Sequence, residues 1–282
     1  MKFFGSETRK RLLLVKVQKF HDWIRHMLQF DVTVLQNIKI ADSFYYLEMT
    51  WNQDTPVLPG HFLTLRITDD TTPLLRRPFA FSGFNPELST CSIIYQKRGR
   101  GTELLTAKLK GDTINLIGPL GNPFSNPSNG SKPVLVAGGI GVGPMLFLAS
   151  EFKRRQLPFS FIFGCRTKSF IPDLDAFRMI DPVICTDDGS AGFKGTTADY
   201  LKTTEKSIQN SDTVYCCGPH PMLKACHELA LRTGSSCEVS VEQIMACGVG
   251  ACMGCVVKTV AEPGYARACK EGPVFNSNDL LW

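Results

Sequence analysis

Between residues 29 and 128, apolar side chains alternate with polar ones or gather in short runs. The runs are Val32–Ile40, Phe44–Trp51, Phe62–Ile67, Phe79–Phe84 and Cys91–Tyr95. β-Branched and aromatic residues dominate them, and Gly and Pro separate them, as at Pro59-Gly60 and Gly83. Short strands at spacings of about ten residues predict an antiparallel barrel or sandwich. A helix is expected over Thr102–Leu109, then a strand over Thr113–Ile117 and a loop from Gly118 to Pro123. The polar stretch Asn126–Ser131 reads as a linker.

From residue 132 to about 232 strand and helix patterns alternate. Strands are predicted at 133–137, 159–163, 182–185 and 213–216, and helices at 144–155, 196–202 and 220–231. Alternation of this kind builds a parallel sheet that binds ligands at the carboxyl ends of its strands. Residues 233–282 are rich in Cys and Gly and show little periodicity. The expected organisation is a basic extension over 1–26, a β-barrel over 27–130, a parallel-sheet α/β domain over 131–232 and a small cysteine-rich subdomain over 233–282. The stretch 133–150 carries no charge over 18 residues, but Gly138, Gly139, Gly141, Gly143 and Pro144 interrupt it. A strand, a glycine turn and a new helix account for it better than a membrane span.

Composition narrows the classes. The chain has 282 residues, 43% hydrophobic and 20% charged, which excludes disorder and collagen-like repeats. Its net charge of +5 is unevenly placed. Residues 1–26 hold seven of the 31 basic and two of the 26 acidic residues, so the rest balances at 24 of each. That balance gives no reason to expect a nucleic-acid partner. Residues 1–26 are either a genuine basic extension, with a short amphipathic pattern over Leu12–Ile24, or precede a true start at Met27; the second reading is preferred. Eleven cysteines form an odd set, and the apolar run Leu12–Val15 is too short for a signal peptide. A cytoplasmic protein with reduced thiols is expected.

Four of those cysteines have informative spacing. Cys247, Cys252, Cys255 and Cys269 read C-x4-C-x2-C-x13-C. Three thiolates on one tight loop and a fourth from a later segment are the ligand pattern of a plant-type [2Fe-2S] cluster. The intervening Gly248, Gly250 and Gly254 allow close backbone approach, and amides aimed at sulfur tune potential. A structural zinc site competes, although it prefers two C-x2-C knuckles and only one is present. Cys91, Cys165, Cys185, Cys216, Cys226 and Cys237 read as buried, unreactive thiols.

Two turns suit a dinucleotide. Val134–Ala137 runs into Gly138-Gly139-Ile140-Gly141-Val142-Gly143-Pro144, with Pro144 expected at the first helical position. Val214–Cys217 runs into Gly218-Pro219-His220, again opening a helix. The first turn does not match the G-x-G-x-x-G fingerprint, so an ordinary Rossmann dehydrogenase is not expected. His220 has no neighbouring carboxylate or nucleophile in the sequence and reads as a loop histidine. In the barrel, Arg76 and Arg77 flank the strand at Phe79, and forked guanidinium donors suit phosphate. Arg98-Gly99-Arg100-Gly101-Thr102 is a second candidate phosphate turn.

Together these pieces resemble the ferredoxin-reductase superfamily. The order of barrel, α/β domain and terminal cluster looks like the electron-transfer subunits of class B NAD-dependent dihydroorotate dehydrogenases. The resemblance rests on Arg-Arg-Pro-Phe at 76–79, the turn at 138–144, Thr186-Asp187-Asp188-Gly189-Ser190, Cys217-Gly218-Pro219, the segment from Glu242 through Cys255, and Cys269 to Phe275. It implies FAD along Arg77, Pro78, Phe79 and Ala80, with Ile94, Tyr95 and Gln96 beside it and Gly101-Thr102 at its pyrophosphate. It places NAD(H) at Gly139, Gly141, Gly143, Cys217, Gly218 and Pro219, and a [2Fe-2S] cluster on Cys247, Cys252, Cys255 and Cys269. NADH is implied, although Arg166 and Lys168 would suit NADPH. The superfamily has Ser or Thr where Ala80 stands, so a hydroxyl near the flavin is missing unless Ser82 or a backbone group compensates. The implied function is an oxidoreductase subunit passing electrons between NAD(H), FAD, the cluster and an FMN-containing catalytic subunit, in a heterotetramer of two plus two, for pyrimidine biosynthesis. No acid, base or nucleophile is expected on this chain. Reductase subunits serving ferredoxin, sulfide or a hydrogenase share this build, and a zinc-binding interaction module is the reading from another class.

Overall fold

A computed structural model describes residues 28–128 and 130–282; the expected extension over 1–26 and the start at Met27 lie outside them. The first part is a closed barrel. Its strands are β1 (Leu28–Ala41), β2 (Phe44–Thr50), β3 (Phe62–Arg66), β4 (Arg77–Asn85), β5 (Thr90–Gln96) and β6 (Thr113–Leu120), paired in the order β1-β2-β5-β4-β3-β6. Every pairing is antiparallel. The alternation predicted from the sequence is the barrel's inside and outside: Val32, Val34, Leu47, Met49, Leu63, Leu65, Phe81 and Ile93 share one core. Trp51 closes it, edge-on to Phe30 and Phe81 at 5.1 and 5.6 Å.

The helix of this part, α1, spans Arg100–Thr106 rather than Thr102–Leu109. Gly99 stands at its N-cap. The Thr102 hydroxyl accepts from the Arg98 and Gly99 amides at 2.9 and 3.2 Å, which starts the helix early. Its end is held by Asn37, whose Nδ2 donates to the carbonyls of Leu105 and Lys108.

The second part is a seven-stranded sheet. In chain order come β7 (Val134–Gly138), α2 (Val142–Arg154), β8 (Ser160–Cys165), α3 (Asp175–Arg178), β9 (Val183–Thr186), β10 (Phe193–Lys194), α4 (Thr197–Thr204), β11 (Thr213–Cys217), α5 (His220–Thr233) and β12 (Ser236–Ser240). A hairpin of β13 (Val256–Lys258) and β14 (Tyr265–Arg267) follows, then β15 (Val274–Asn276). The sheet order is β10-β9-β8-β7-β11-β12-β15, parallel except for β15. Segment 233–282, expected to stand as its own unit, thus lends β12 and β15 to the sheet. Cys237 and Val239 of β12 bury against the α5 side chains Leu223, Cys226 and Leu229, together with Phe275 of β15.

The uncharged stretch has a plain explanation. It is β7 followed by α2, and nearly every side chain of α2 up to Ala149 is buried. One side of α2 packs on the sheet and on Ile40, Phe44 and Ile94 of the barrel, while Phe147 enters the barrel core. Among the described residues no helix is long and apolar enough to cross a membrane.

The cysteine-bearing segment docks on the barrel's end. Asn122, in the loop after β6, donates from its backbone to Gly272 O at 2.7 Å and from Nδ2 to Glu271 O at 2.6 Å. Gly121 has φ +77°, and a Cβ there would lie 2.5 Å from Pro273 Cδ, so glycine is required. Phe62 and Leu120 of the barrel form one apolar cluster with Cys255, Ala268 and Cys269.

Candidate functional site

The four late cysteines are brought together. Cys255 and Cys269 are buried with their sulfurs 3.2 Å apart. Cys247 is half-buried and Cys252 exposed, and the Cys252 amide donates to Cys247 Sγ at 3.4 Å. The thiols therefore stand as an inner pair and an outer pair. Among the described residues, no three His, Cys, Asp or Glu side chains converge on one mononuclear position.

Backbone amides are aimed at these sulfurs. Val249 N donates to Cys247 Sγ at 3.4 Å, Gly250 N to Cys269 Sγ at 3.0 Å, and Gly254 N to Cys252 Sγ at 3.4 Å. Left-handed backbone at Gly248 (φ +69°) and Gly250 (φ +73°) turns the loop so that successive amides point inward. Burial raises the Cys247 thiol, but the amides of Val249, Cys252 and Ala251 outweigh it and bring it down to about 7. Cys269 is pushed up to about 12 by burial and by its neighbour Cys255. The donor set fits a two-iron, two-sulfur group: two thiolates for each iron, with amides spread over three of the four sulfurs.

The barrel motif lies beside this loop. Arg77, Pro78, Phe79 and Ala80 all sit on β4, partly exposed. The Arg77 guanidinium lies on Gly101, where a Cβ would stand 2.7 Å from Nε. Arg77 Nη1 also donates to Leu75 O. Thus Arg77 and the Gly101-Thr102 turn, 24 residues apart, converge. On β3 the register sets Phe62 opposite Ala80 and Thr64 opposite Pro78. Phe62 packs against Cys255 and Cys269, and Thr64 Cγ2 would meet a Cβ at Gly248 at 2.8 Å. The Thr64 hydroxyl is buried without a partner among the described residues, on a side chain between the β4 motif and the cysteine loop.

Three expected barrel contacts are placed less simply. Tyr95 points into the barrel core, and its hydroxyl donates to Asn37 Oδ1 at 2.9 Å. Ile94 packs against α2. Gln96 Nε2 donates to Ser43 Oγ at 3.0 Å. Of these three, Tyr95 is the most deeply buried, with its ring edge-on to Phe79 of β4 at 5.9 Å. Ser82, the serine two residues beyond Ala80, is buried, and its Oγ pairs with Ser92 Oγ at 3.0 Å.

The two glycine turns close on each other. A Cβ at Gly141 would lie 2.1 Å from Cys217 O, so those backbones touch. Gly138 and Gly218 pack likewise, with the Met222 side chain beside both. Gly139 (φ +52°) faces open space, and Gly143 lies against Ser82 and Ile94 of the barrel. Residues 139–141 coil as one 3₁₀ turn that runs into α2 at Val142, which is why the helix begins before Pro144. Cys217 is partly exposed, but its thiol is buried and is pushed up to about 12, although Ser240 bonds to it.

A cleft of about 780 Å³ joins these parts. Arg77 and Pro78 form one wall, Gly218 and Pro219 another, and Glu242 and Met245 lead towards Cys247. Trp282 also lines it, stacked on His227 at 5.2 Å and tilted against His220 at 5.5 Å. Neither Thr64 nor Trp282 has a signal in the sequence: one is an ordinary strand threonine, the other a terminal aromatic residue. The six cysteines expected to be inert, Cys91, Cys165, Cys185, Cys216, Cys226 and Cys237, are all buried. Arg166 lies over the Phe170 ring, 6.0 Å from its centre.

Known proteins resemble this chain in sequence and in fold. The family model for the iron-sulfur cluster binding domain of dihydroorotate dehydrogenase B matches residues 242–281. A dihydroorotate dehydrogenase B (NAD(+)) electron transfer subunit from Caldanaerobacter subterraneus is 36% identical over 252 residues, covering 88% of this chain and 97% of the relative. The subunit from Desulforamulus reducens is 36% identical over 263 residues, covering 90% and 98%. Among solved structures, an NADH-dependent reduced ferredoxin-NADP oxidoreductase described for flavin-based electron bifurcation superposes with TM-score 0.77 at 28% identity, over 89% of this chain and 90% of that one. Phthalate dioxygenase reductase superposes with TM-score 0.60 at 18% identity, over 83% and 87%, and shares the fold. On the curated identities, over nearly the full length of those relatives, this chain belongs to the family of dihydroorotate dehydrogenase B (NAD(+)) electron transfer subunits.

Proposed function

We propose that this chain carries electrons between NAD(H) and an FMN-containing dihydroorotate dehydrogenase catalytic subunit, through FAD and a [2Fe-2S] cluster, in pyrimidine biosynthesis. When bound, the flavin exchanges a hydride with the nicotinamide and single electrons with the cluster. The chain's own residues position these groups. Arg77, with the Gly101-Thr102 turn beneath it, supplies forked donors and first-turn amides for a pyrophosphate. Pro78, Phe79 and Ala80 offer a strand edge to the flavin, with Ile94, Tyr95 and Gln96 on the neighbouring strand. Gly139, Gly141 and Gly143, facing Cys217, Gly218 and Pro219, let a dinucleotide approach the backbone at the carboxyl end of the sheet. Cys247 and Cys252 would hold the outer iron, and Cys255 and Cys269 the inner one.

One observation carries the reading. Phe62 is opposite Ala80 in the β3–β4 ladder and in contact with the inner cysteine pair, so one strand separates the flavin segment from the cluster thiols. The family's naming as electron transfer subunits supports a catalytic partner, and a two-plus-two assembly is part of the proposal. The test is reconstitution with the catalytic subunit and replacement of Cys252 by Ser. Dihydroorotate-dependent NAD(+) reduction and iron content should both be lost, while NADH-to-dye transfer through FAD partly persists. Full transfer to the partner in Cys252→Ser would refute the route.

A further inference from the structure

Arg267, at the end of β14, reaches across to the cysteine loop. Its Nη1 donates to Gly250 O at 2.7 Å. Its Nε and its backbone N donate to Glu271 Oε2 at 3.0 and 2.8 Å. The side chain is about one-fifth exposed (22%), so this pair is held at the protein's edge rather than free in solvent. Gly250 is where the loop meets the inner pair, because its N–H donates to Cys269 Sγ at 3.0 Å.

The peptide geometry gives this contact a consequence. In a trans peptide the carbonyl and the following N–H point in opposite directions. Fixing Gly250 O outward on the guanidinium therefore aims the Ala251 N–H inward. That turns it to the side where the flanking amides of Val249 and Cys252 donate to Cys247 Sγ, each at 3.4 Å. One guanidinium thus orients the peptide serving the outer pair and steadies the residue whose amide serves the inner pair. It also sets a cation two residues from Cys269, with Glu271 as its counter-charge.

We propose that the Arg267–Glu271 pair is a positioning device that sets the reduction potential of the cluster. The inference rests on the iron–sulfur reading above. One-electron reduction breaks no bond and adds one negative charge to the group held by the four thiolates. Amides aimed at sulfur and a nearby cation both favour that added charge. Arg267→Gln removes the cation and leaves Glu271 unbalanced, so the potential falls. Glu271→Gln leaves the cation unbalanced, so the potential rises. A residue that merely holds the fold would not shift the potential in opposite directions from its two ends.

The test is a redox titration of each intact protein, reconstituted with iron and sulfide and followed by the paramagnetic signal of the reduced cluster. Flavin content and the thermal midpoint serve as controls for folding. Arg267→Gln is expected to lower the equilibrium constant for reduction at least tenfold, which is 59 mV for one electron. Arg267→Lys, which keeps the charge without the fork, should fall between it and the parent, and Glu271→Gln should shift upward. Unshifted potentials, or shifts of the same sign in Arg267→Gln and Glu271→Gln, overturn the proposal. If Arg267→Gln binds no iron, Glu271→Gln decides alone: a rise supports the proposal, and no change or a fall overturns it. Loss of iron from both variants, with flavin retained, reduces the pair to a structural tie and also overturns it. Absence of the reduced-cluster signal in the parent would instead sink the iron–sulfur reading itself.

Discussion

Thr64 is 2% exposed, and its hydroxyl has no partner among the described residues. A buried, unsatisfied polar group costs about 1–3 kcal/mol. Thr64→Val removes it with nearly the same shape, so the variant stripped of FAD and iron should be more stable than its parent by about 1 kcal/mol in urea unfolding. In the loaded protein that gain should vanish or reverse if a bound group meets the hydroxyl, because Thr64 stands between Pro78, its partner on β4, and Gly248 of the cysteine loop. An equal gain in both states would show that no bound group uses the hydroxyl. Residues differ in how much of their role can be read from the sequence. The four cluster cysteines were legible, since a short loop encodes most of their geometry in its spacing. Tyr95 was not: alternation shows that neighbours face opposite ways, but not that Tyr95 faces the core and bonds Asn37.

Elements are steered by turns that hold them from outside. The Pro59-Gly60-His61 turn feeds β3, the strand between the β4 motif and the cysteines. Gly60 has φ +102°, and a Cβ there would lie 2.7 Å from Phe124 N. His61 Nδ1 accepts the Leu58 N–H at 3.1 Å, and burial lowers its pKa to about 4. The unfolded chain takes up this proton below about 6.5 and the folded one only near 4, so protonation favours unfolding. This contribution is intact above pH 6.5 and declines as pH falls towards 4, by on the order of 3 kcal/mol. Asn can offer its Oδ1 to the same amide, so His61→Asn should lose less stability than the parent between pH 7 and pH 4.5 in urea titrations. Equal losses would contradict this role. Most barrel strands and the β/α alternation were legible, because their periods of two and of about 3.6 follow directly from which side faces the core. The starts of α1 and α2 were not, because each is set by a local turn: the Thr102 hydroxyl in one, the coiled glycines in the other.

At the scale of the whole molecule, three layers meet at one cleft. α2 is clamped between barrel and sheet, which fixes the glycine turns against β4 and β5 through Gly143. The loop at Gly121-Asn122 and the segment at Glu271–Pro273 lock the cysteine loop to the barrel's end. These contacts join residues about 150 apart, and no periodicity announces them. For the same reason the cysteine-rich segment looked separate: β12 and β15 are short strands inside a Cys- and Gly-rich stretch, and only their pairing shows that they complete the sheet. On the proposed route, NADH electrons pass through the flavin to the four-cysteine group within this single chain. This route is tested most directly by adding NADH anaerobically to the purified protein, without any partner, and following absorbance and the paramagnetic cluster signal together. Bleaching of the flavin accompanied by appearance of the reduced-cluster signal is the predicted result. A bleached flavin with no such signal, in protein containing two irons per chain, would contradict it.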